Sequence, residues 1–338
     1  MATILVTGGA GYVGSHAVVA LAAAGHRCVV LDDLSNSSRV ALDRVAAICG
    51  RPVAFERADV RDTNRVVETL RSHAVGAVVH MAGLKSVEES VADPDRYHDV
   101  NVNGTRSLVR AMRDCGVREI VFSSSATVYG DPERSPIPES APLNPANPYG
   151  RTKVAVEALL ADAAAQDGTW RVALLRYFNP AGAHASGNIG EAPATKPRNL
   201  FPLLCRAASP GGEALRIFGD DFPTPDGSPV RDYLHVMDVA EGHVAALDTL
   251  RDAPGVLIAN LGGGRGLSVL EVVRCFESVN GVTVRRECAP RRAGDVPAYW
   301  ADASYAGRRL GWHARRPLEE MCRDAWRWHT ANPRGYPS

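Results

Sequence analysis

The sequence predicts an α/β chain: a doubly wound parallel sheet followed by a smaller C-terminal α/β lobe. Three observations predict it. Short β-branched strands alternate with apolar-periodic helices through the first 180 residues, and a glycine turn joins the first strand to the first helix. After the strand Val172 to Arg176 the composition shifts toward Pro, Gly and Asn through about residue 230, with few long apolar runs. At 338 residues the chain exceeds the size at which one core keeps growing. It divides into a sheet domain over 1–180, rejoined by a segment of about 233–260, and a smaller lobe mainly over 181–338.

Residues 3–7 read as a strand that ends on Gly8, Gly11 and Gly14, before the helical pattern Ala17, Val18, Leu21. Such a turn lets the backbone approach a pyrophosphate, which then sits on the helix N-terminus. A merely tight βα turn is the alternative. The next strand, Cys28 to Leu31, ends on Asp32, where a carboxylate accepts from both adenosine ribose hydroxyls and repels a 2′-phosphate. This is a Rossmann-type pattern and favours NAD over NADP. Asp33 stands beside Asp32, and either could take the ribose; position favours Asp32.

Val53 to Phe55 leads to Asp59, at the sheet edge where such folds bind ligands; an adenine contact and a solvated turn carboxylate are both compatible with it. A helix over 63–72 precedes the buried strand Ala77 to His80, and His80 reads as a satisfied core histidine. The stretch 95–115 is helical, with Asn101, Asn103 and Thr105 bonding to backbone. Strand Glu119 to Phe122 delivers Ser123, Ser124 and Ser125 to the same edge, where they either turn the chain or offer a hydroxyl to a reaction.

A proline-rich loop then opens a helix at Tyr149-Gly150-Arg151-Thr152-Lys153. Tyrosine and lysine four apart share a helix face, and an ammonium near a phenol lowers its pKa toward the range of a general base. With Ser125 they form a Ser, Tyr, Lys set. Helices over 233–250, 268–279 and 317–329 read as supports, with Trp326 and Trp328 as core or lobe contacts.

Composition excludes other classes. Lys+Arg and Asp+Glu both number 38, so nothing points to nucleic acid or an anionic membrane. Seven cysteines without a Cys-x-x-Cys pair argue against a disulfide framework and a zinc site, and no metal is expected. The start runs directly into a strand and no apolar run approaches a membrane span, which implies a cytoplasmic location.

Gly8-x-x-Gly11-x-x-Gly14, Ser125 and Tyr149-x-x-x-Lys153, in this order, resemble the extended short-chain dehydrogenase/reductase superfamily. More narrowly the chain resembles its UDP-glucose 4-epimerase family. Ala82-Gly83-Leu84-Lys85, Leu175 to Pro180, Arg231-Asp232-Tyr233, Ala289 to Arg292 and Pro297 to Asp302 match that family, nearly end to end. The resemblance implies interconversion of UDP-galactose and UDP-glucose through a 4-keto intermediate, by reversible hydride transfer to tightly bound NAD. It implies NAD contacts from Gly8, Gly11, Tyr12, Val13, Gly14, Asp32, Asp33, Leu34, Ser35, Asn36, Ser37, Asp59, Val60, Met81, Ala82, Gly83, Lys85, Ser125, Tyr149, Lys153 and Phe178. Substrate contacts implied are Ser125, Tyr149, Asn179, Asn199 and Leu200, with Leu215, Arg216, Ile217 and Phe218 bordering the uracil. Arg231 and Arg292 would clamp the diphosphate, Asp295 the uridine ribose, and Tyr299 would disfavour N-acetylated sugars by its bulk. A homodimer through helices of roughly 101–115 and 150–166 is implied by the resemblance alone.

Two positions depart from the family, Met81 where an aromatic is frequent and Asp33 in place of Asn; altered cofactor packing is expected, not lost activity. Nucleotide-sugar dehydratases carry an Asp-Glu pair after the serine or threonine. Ala126 and Thr127 stand here, which disfavours elimination. Donors for a uronic carboxylate are not identifiable, and a non-enzymatic NAD-binding scaffold tends to lose the tyrosine or lysine, both of which are present.

Overall fold

The structure is a computed structural model that describes residues 2–193, 197–251, 254–292 and 295–337. Its first half is a run of βα units. Strand β1 (Thr3–Thr7) enters α1 (Tyr12–Ala23), β2 (Arg27–Asp32) enters α2 (Arg39–Cys49), and β3 (Ala54–Arg57) enters α3 (Thr63–Ser72). Strand β4 (Ala77–His80) is followed by α4 (Val87–Ala92), α5 (Pro94–His98), a π turn over Asp99–Asn103 and α6 (Gly104–Cys115). Then come β5 (Glu119–Ser125), a 3-10 turn over Ala126–Tyr129, α7 (Pro148–Gln166) and β6 (Arg171–Tyr177).

The second half begins with β7 (Asn179–Ala181), α8 (Leu200–Ala208), β8 (Leu215–Phe218), β9 (Val230–Arg231), β10 (Tyr233–His235), α9 (Val236–Leu250) and β11 (Gly255–Leu261). It ends with β12 (Leu267–Ser268), α10 (Val269–Asn280), β13 (Arg286–Ala289), β14 (Ala298–Tyr299), α11 (Ser304–Leu310) and α12 (Leu318–Ala331).

Seven strands form one parallel sheet in the order β11-β6-β5-β4-β1-β2-β3. Burial on both faces explains the continuous apolar runs of the central strands, such as the fully buried Ala77 to His80. One core lies under α1, α2 and α9 and another under α3, α6 and α7. A third core, holding Phe201, Val272, Phe276 and Met321, joins α8, α10 and α12 beside the sheet. Because every sheet strand runs the same way, Thr7, Asp32, His80, Ser125 and Tyr177 all end at one edge.

The helix expected over 233–250 starts three residues later. Tyr233–His235 instead pair with Asn179–Ala181 as a parallel ribbon, and the His235 side chain caps the helix by accepting from the Met237 N–H at 3.1 Å. Among the described residues no helix is long and apolar enough to cross a membrane.

Candidate active site

A cleft of about 440 Å³ opens along that sheet edge. The glycine turn forms its floor. Gly8 has φ +70°, and a Cβ there would stand 2.7 Å from the Ala82 nitrogen; one on Gly14 would stand 2.1 Å from the Gly8 oxygen. Only glycine lets turn and helix pack this closely. The first turn of α1 has no side-chain cap, and Gly11, Tyr12, Val13 and Gly14 line the cleft, the arrangement that receives a diphosphate.

Asp32, at the end of β2, is buried beside this turn. It accepts from Ala10 N at 3.0 Å, Leu34 N at 2.9 Å and Ser37 Oγ at 2.8 Å. Burial raises its pKa from the ordinary carboxylate value, and these donors oppose the rise. Asp33 is exposed at the lip, where its carboxylate accepts from the backbone and hydroxyl of Ser35. Asp59 is held by Arg61, which lowers its pKa. Ser35, Asn36, Ser37, Asp59, Val60, Met81, Ala82, Gly83 and Lys85 line the cleft with both aspartates. Leu34 does not: its side chain packs against the core and its N–H donates to Asp32.

The Ser, Tyr, Lys set converges at the other end. Asn147 caps α7 by accepting from Gly150 N, and Pro148 occupies its first turn, so Tyr149 and Lys153 lie one turn apart on one face. Ser125 is the last residue of β5; its hydroxyl accepts from Thr127 N at 3.3 Å and Thr127 Oγ1 at 3.0 Å and acts on the Tyr149 phenol. The three serines diverge: Ser123 bonds His243 Nε2 at 2.7 Å, Ser124 bonds Glu157 at 2.5 Å, and only Ser125 meets the tyrosine.

The expected electrostatics need correction. Burial pushes the Tyr149 phenol up to about 12, opposed by the Ser125 hydroxyl rather than by the lysine. Lys153 Nζ donates to the Ser123 carbonyl at 2.7 Å and lies 5.7 Å from the Tyr149 ring centre. Its own pKa is pushed down to about 8 by burial, against the charge of Glu157 one turn on. Loss of hydration at both groups outweighs their mutual influence.

His80 is the satisfied core group its sequence context implies. Nδ1 meets Thr7 Oγ1 at 2.7 Å and Nε2 meets Thr105 Oγ1 at 2.9 Å, and burial lowers its pKa to about 3. Asn101 clamps both backbone groups of Leu84 and bonds Thr152, tying the loop after β4 to α7. Tyr177, at the end of β6, also lines the cleft; a tyrosine closing a buried strand at this edge was the signal for it. Glu191 lines it too, from a Pro- and Gly-rich stretch without local periodicity.

The remaining expected substrate residues gather beyond Ser125. Strand β14 pairs Tyr299 with Arg231 of β9. Asp295 stands 3.5 Å from the Arg231 guanidinium and 2.9 Å from that of Arg292. Arg292 also lies 4.8 Å from the Phe218 ring centre, and Arg216 5.3 Å from it. Phe178 packs against Tyr299 at 5.3 Å, and the Tyr299 hydroxyl donates to the Ala126 carbonyl. Ile217 and Leu215 point the other way on β8, into the third core, so each can offer only main chain. Asn179 is exposed on β7, Asn199 bonds Glu191, and Leu200 packs partly into the third core. A separate group, His235, Glu320 and Asp324, has metal-ligand character, but Arg316 and Arg327 pair with its carboxylates and none of the three lines the cleft.

A family model described as the NAD dependent epimerase/dehydratase family matches residues 4–262. The chain belongs to this family. It is 52% identical over 335 residues to the UDP-glucose 4-epimerase of Bacillus subtilis (strain 168), covering 99% of both chains. Among solved structures it is similar to UDP-glucose-4-epimerase from Stenotrophomonas maltophila with bound NAD and formylated UDP-arabinopyranose, with TM-score 0.97, 49% identity and 99% of both chains covered. It is also similar to UDP-glucose 4-epimerase from Bifidobacterium longum in complex with NAD+ and UDP, with TM-score 0.95, 44% identity, and 99% of this chain and 100% of that one covered.

Proposed function

We propose that the chain is a UDP-glucose 4-epimerase that interconverts UDP-galactose and UDP-glucose through a 4-keto sugar. The observation that carries the reading is the meeting of Tyr149 and Lys153, with Ser125 acting on the Tyr149 phenol from the end of β5, in the same cleft as an uncapped glycine turn and Asp32. The cradle fits NAD: the α1 N-terminus would receive the diphosphate, Asp32 the adenosine ribose, and Lys153 the nicotinamide ribose. When bound, NAD would supply a reversible hydride acceptor and a positive charge that favours the Tyr149 phenolate.

The chain's own groups handle the proton and the geometry. The Tyr149 phenolate takes the 4′-hydroxyl proton as C4′ becomes a ketone, and gives it back when the ketone is reduced on its other face. Proton and hydride both return, so inversion carries no net redox change. Ser125, whose hydroxyl acts on the Tyr149 phenol, holds the sugar oxygen near it. Arg231 and Arg292 turn from Asp295 to the diphosphate, as planar guanidinium groups do, and Asp295 takes the uridine ribose. Gripping the UDP end leaves the hexose free to present either face.

The residues 1–180 with about 233–260 act as the cofactor domain and 181–338 mainly as the sugar-nucleotide lobe. The enzyme works in the cytoplasm as a homodimer through α6 and α7, where Ala155 and Leu159 remain partly exposed. Sedimentation as a monomer at working concentration would reject the dimer. Purified protein given UDP-galactose without added NAD should form UDP-glucose, separated by chromatography; silence with NAD added, on N-acetylated and uronic sugars as well, would reject the function.

A further inference from the structure

Glu191 stands where three parts of the cleft wall meet, and no step above uses it. Its side chain is 10% exposed. Oε1 accepts from the Asn199 amide at 2.6 Å and lies 3.3 Å from the Lys85 ammonium. Lys85 belongs to the loop after β4, and its ammonium is 5.9 Å from the ring of Tyr12 in the glycine turn. Asn199 precedes α8 on the substrate lobe. One carboxylate oxygen therefore joins a side chain of the cofactor side to one of the sugar-nucleotide side.

The carboxylate is braced from behind. The Glu191 carbonyl accepts from Trp328 Nε1 at 3.2 Å, and the Gly190 N–H donates to the Tyr336 hydroxyl at 3.3 Å. Rings of Trp328 and Tyr336 pack at 4.9 Å, with the Arg44 guanidinium over both. A Cβ at Gly190 would stand 2.4 Å from the Trp328 ring, so the segment is fitted against α12 and the C-terminal residues. A side chain on such support holds its partners in place at little entropic cost.

We propose that Glu191 is a positioning residue that aligns Lys85 and Asn199 together, so that retention of NAD and affinity for the sugar nucleotide are coupled. The proposal rests on the reading of the cleft given above. The acceptor oxygen belongs to a carboxylate that is 10% exposed, although the Lys85 side chain is 49% exposed, and sharing that one oxygen makes each bond depend on the other. A second pair, Glu88 with Arg198, links the same two segments. The cations of the two pairs are about equally exposed, but the Glu88 carboxylate is 80% exposed against 10% for Glu191, so this pair contributes little.

The test uses holoenzyme of Glu191→Gln, Lys85→Gln, their double variant and Glu88→Gln, with rates normalised to bound NAD. Glutamine keeps the shape of Glu191 and one acceptor, and removes only the charge. KM for UDP-galactose and the rate of NAD release should both rise roughly tenfold in Glu191→Gln, with kcat changing less. The double variant should be no worse than the stronger single, and Glu88→Gln should behave as wild type. Wild-type KM and NAD release in Glu191→Gln, or additive effects in the double variant, would overturn the proposal. A wild-type protein that neither holds NAD nor turns over would instead defeat the reading of the cleft.

Discussion

Deleting the Glu157 carboxylate should destabilise the fold and disturb the catalytic set together. Glu157 and Arg176 are 5% and 3% exposed and pair at 2.6 Å, with the Arg176 Nε 3.0 and 3.2 Å from the two carboxylate oxygens. In Glu157→Ala the guanidinium stays buried with only the Tyr129 hydroxyl at 3.1 Å and the Glu139 carbonyl at 3.0 Å. Breaking a buried pair from one side costs about 3–5 kcal/mol. At roughly 2.1 cal/mol/K of unfolding entropy per residue, a chain of this length unfolds with about 0.7 kcal/mol/K, so Tm should fall by about 4–7 °C. Replacing both residues by Met removes the stranded charge, and that double variant should melt above the single one. Turnover should also fall in Glu157→Ala, since Ser124 next to Ser125 loses its acceptor and Lys153 loses the charge that supports its protonation. Thermal unfolding followed by circular dichroism decides the matter. A Tm within about 1 °C of wild type, or a double variant that melts below the single one, would refute the reasoning.

Stability should fall as pH drops from 7 to 5. His16, His80 and His243 are buried with pKa values lowered to about 3, 3 and 4, so the unfolded chain binds protons first; their stabilisation is present above about pH 6.5 and is lost on acidification, on the order of 2 kcal/mol each by pH 5. Asp232, raised to about 6 by burial, acts in the opposite direction, its contribution being present at low pH and lost above about 6. The three histidines outweigh it, and a Tm that rises between pH 7 and pH 5 would contradict this. Gly14→Ala should abolish NAD retention, because its Cβ would meet the Gly8 carbonyl at 2.1 Å; protein purified with normal bound NAD would show that the turn is not the cradle. UDP-N-acetylglucosamine should turn over far more slowly than UDP-glucose, since Tyr299 is fixed by Ala126 and Phe178 and cannot swing aside; comparable rates would remove Tyr299 as the restriction.

Local pattern carried the strands, the glycine turn and the tyrosine helix, because each is set by neighbours within a few residues. Asp32 and Ser125 were legible as strand ends, and parallel strands necessarily bring such ends to one edge. What escaped depends on distant partners. Lys153 turns to the Ser123 carbonyl, Asn101 grips Leu84, and Glu191 meets Lys85 across the cleft, none of which leaves a period in the sequence. The ribbon Tyr233–His235 is indistinguishable from the helix that follows it, because three residues are too few to show alternation and its partner lies at Asn179–Ala181. Ile217 and Leu34 were placed at the ligand by resemblance, whereas packing assigns their side chains to the cores.

The central claim is that Tyr149 moves the proton at C4′, and replacing it by Phe tests this most directly. The ring and its packing stay, and only the hydroxyl is lost. Turnover of UDP-galactose should drop by about 10²–10⁴-fold while UDP still binds with near wild-type affinity. Near-normal turnover in Tyr149→Phe would contradict the account.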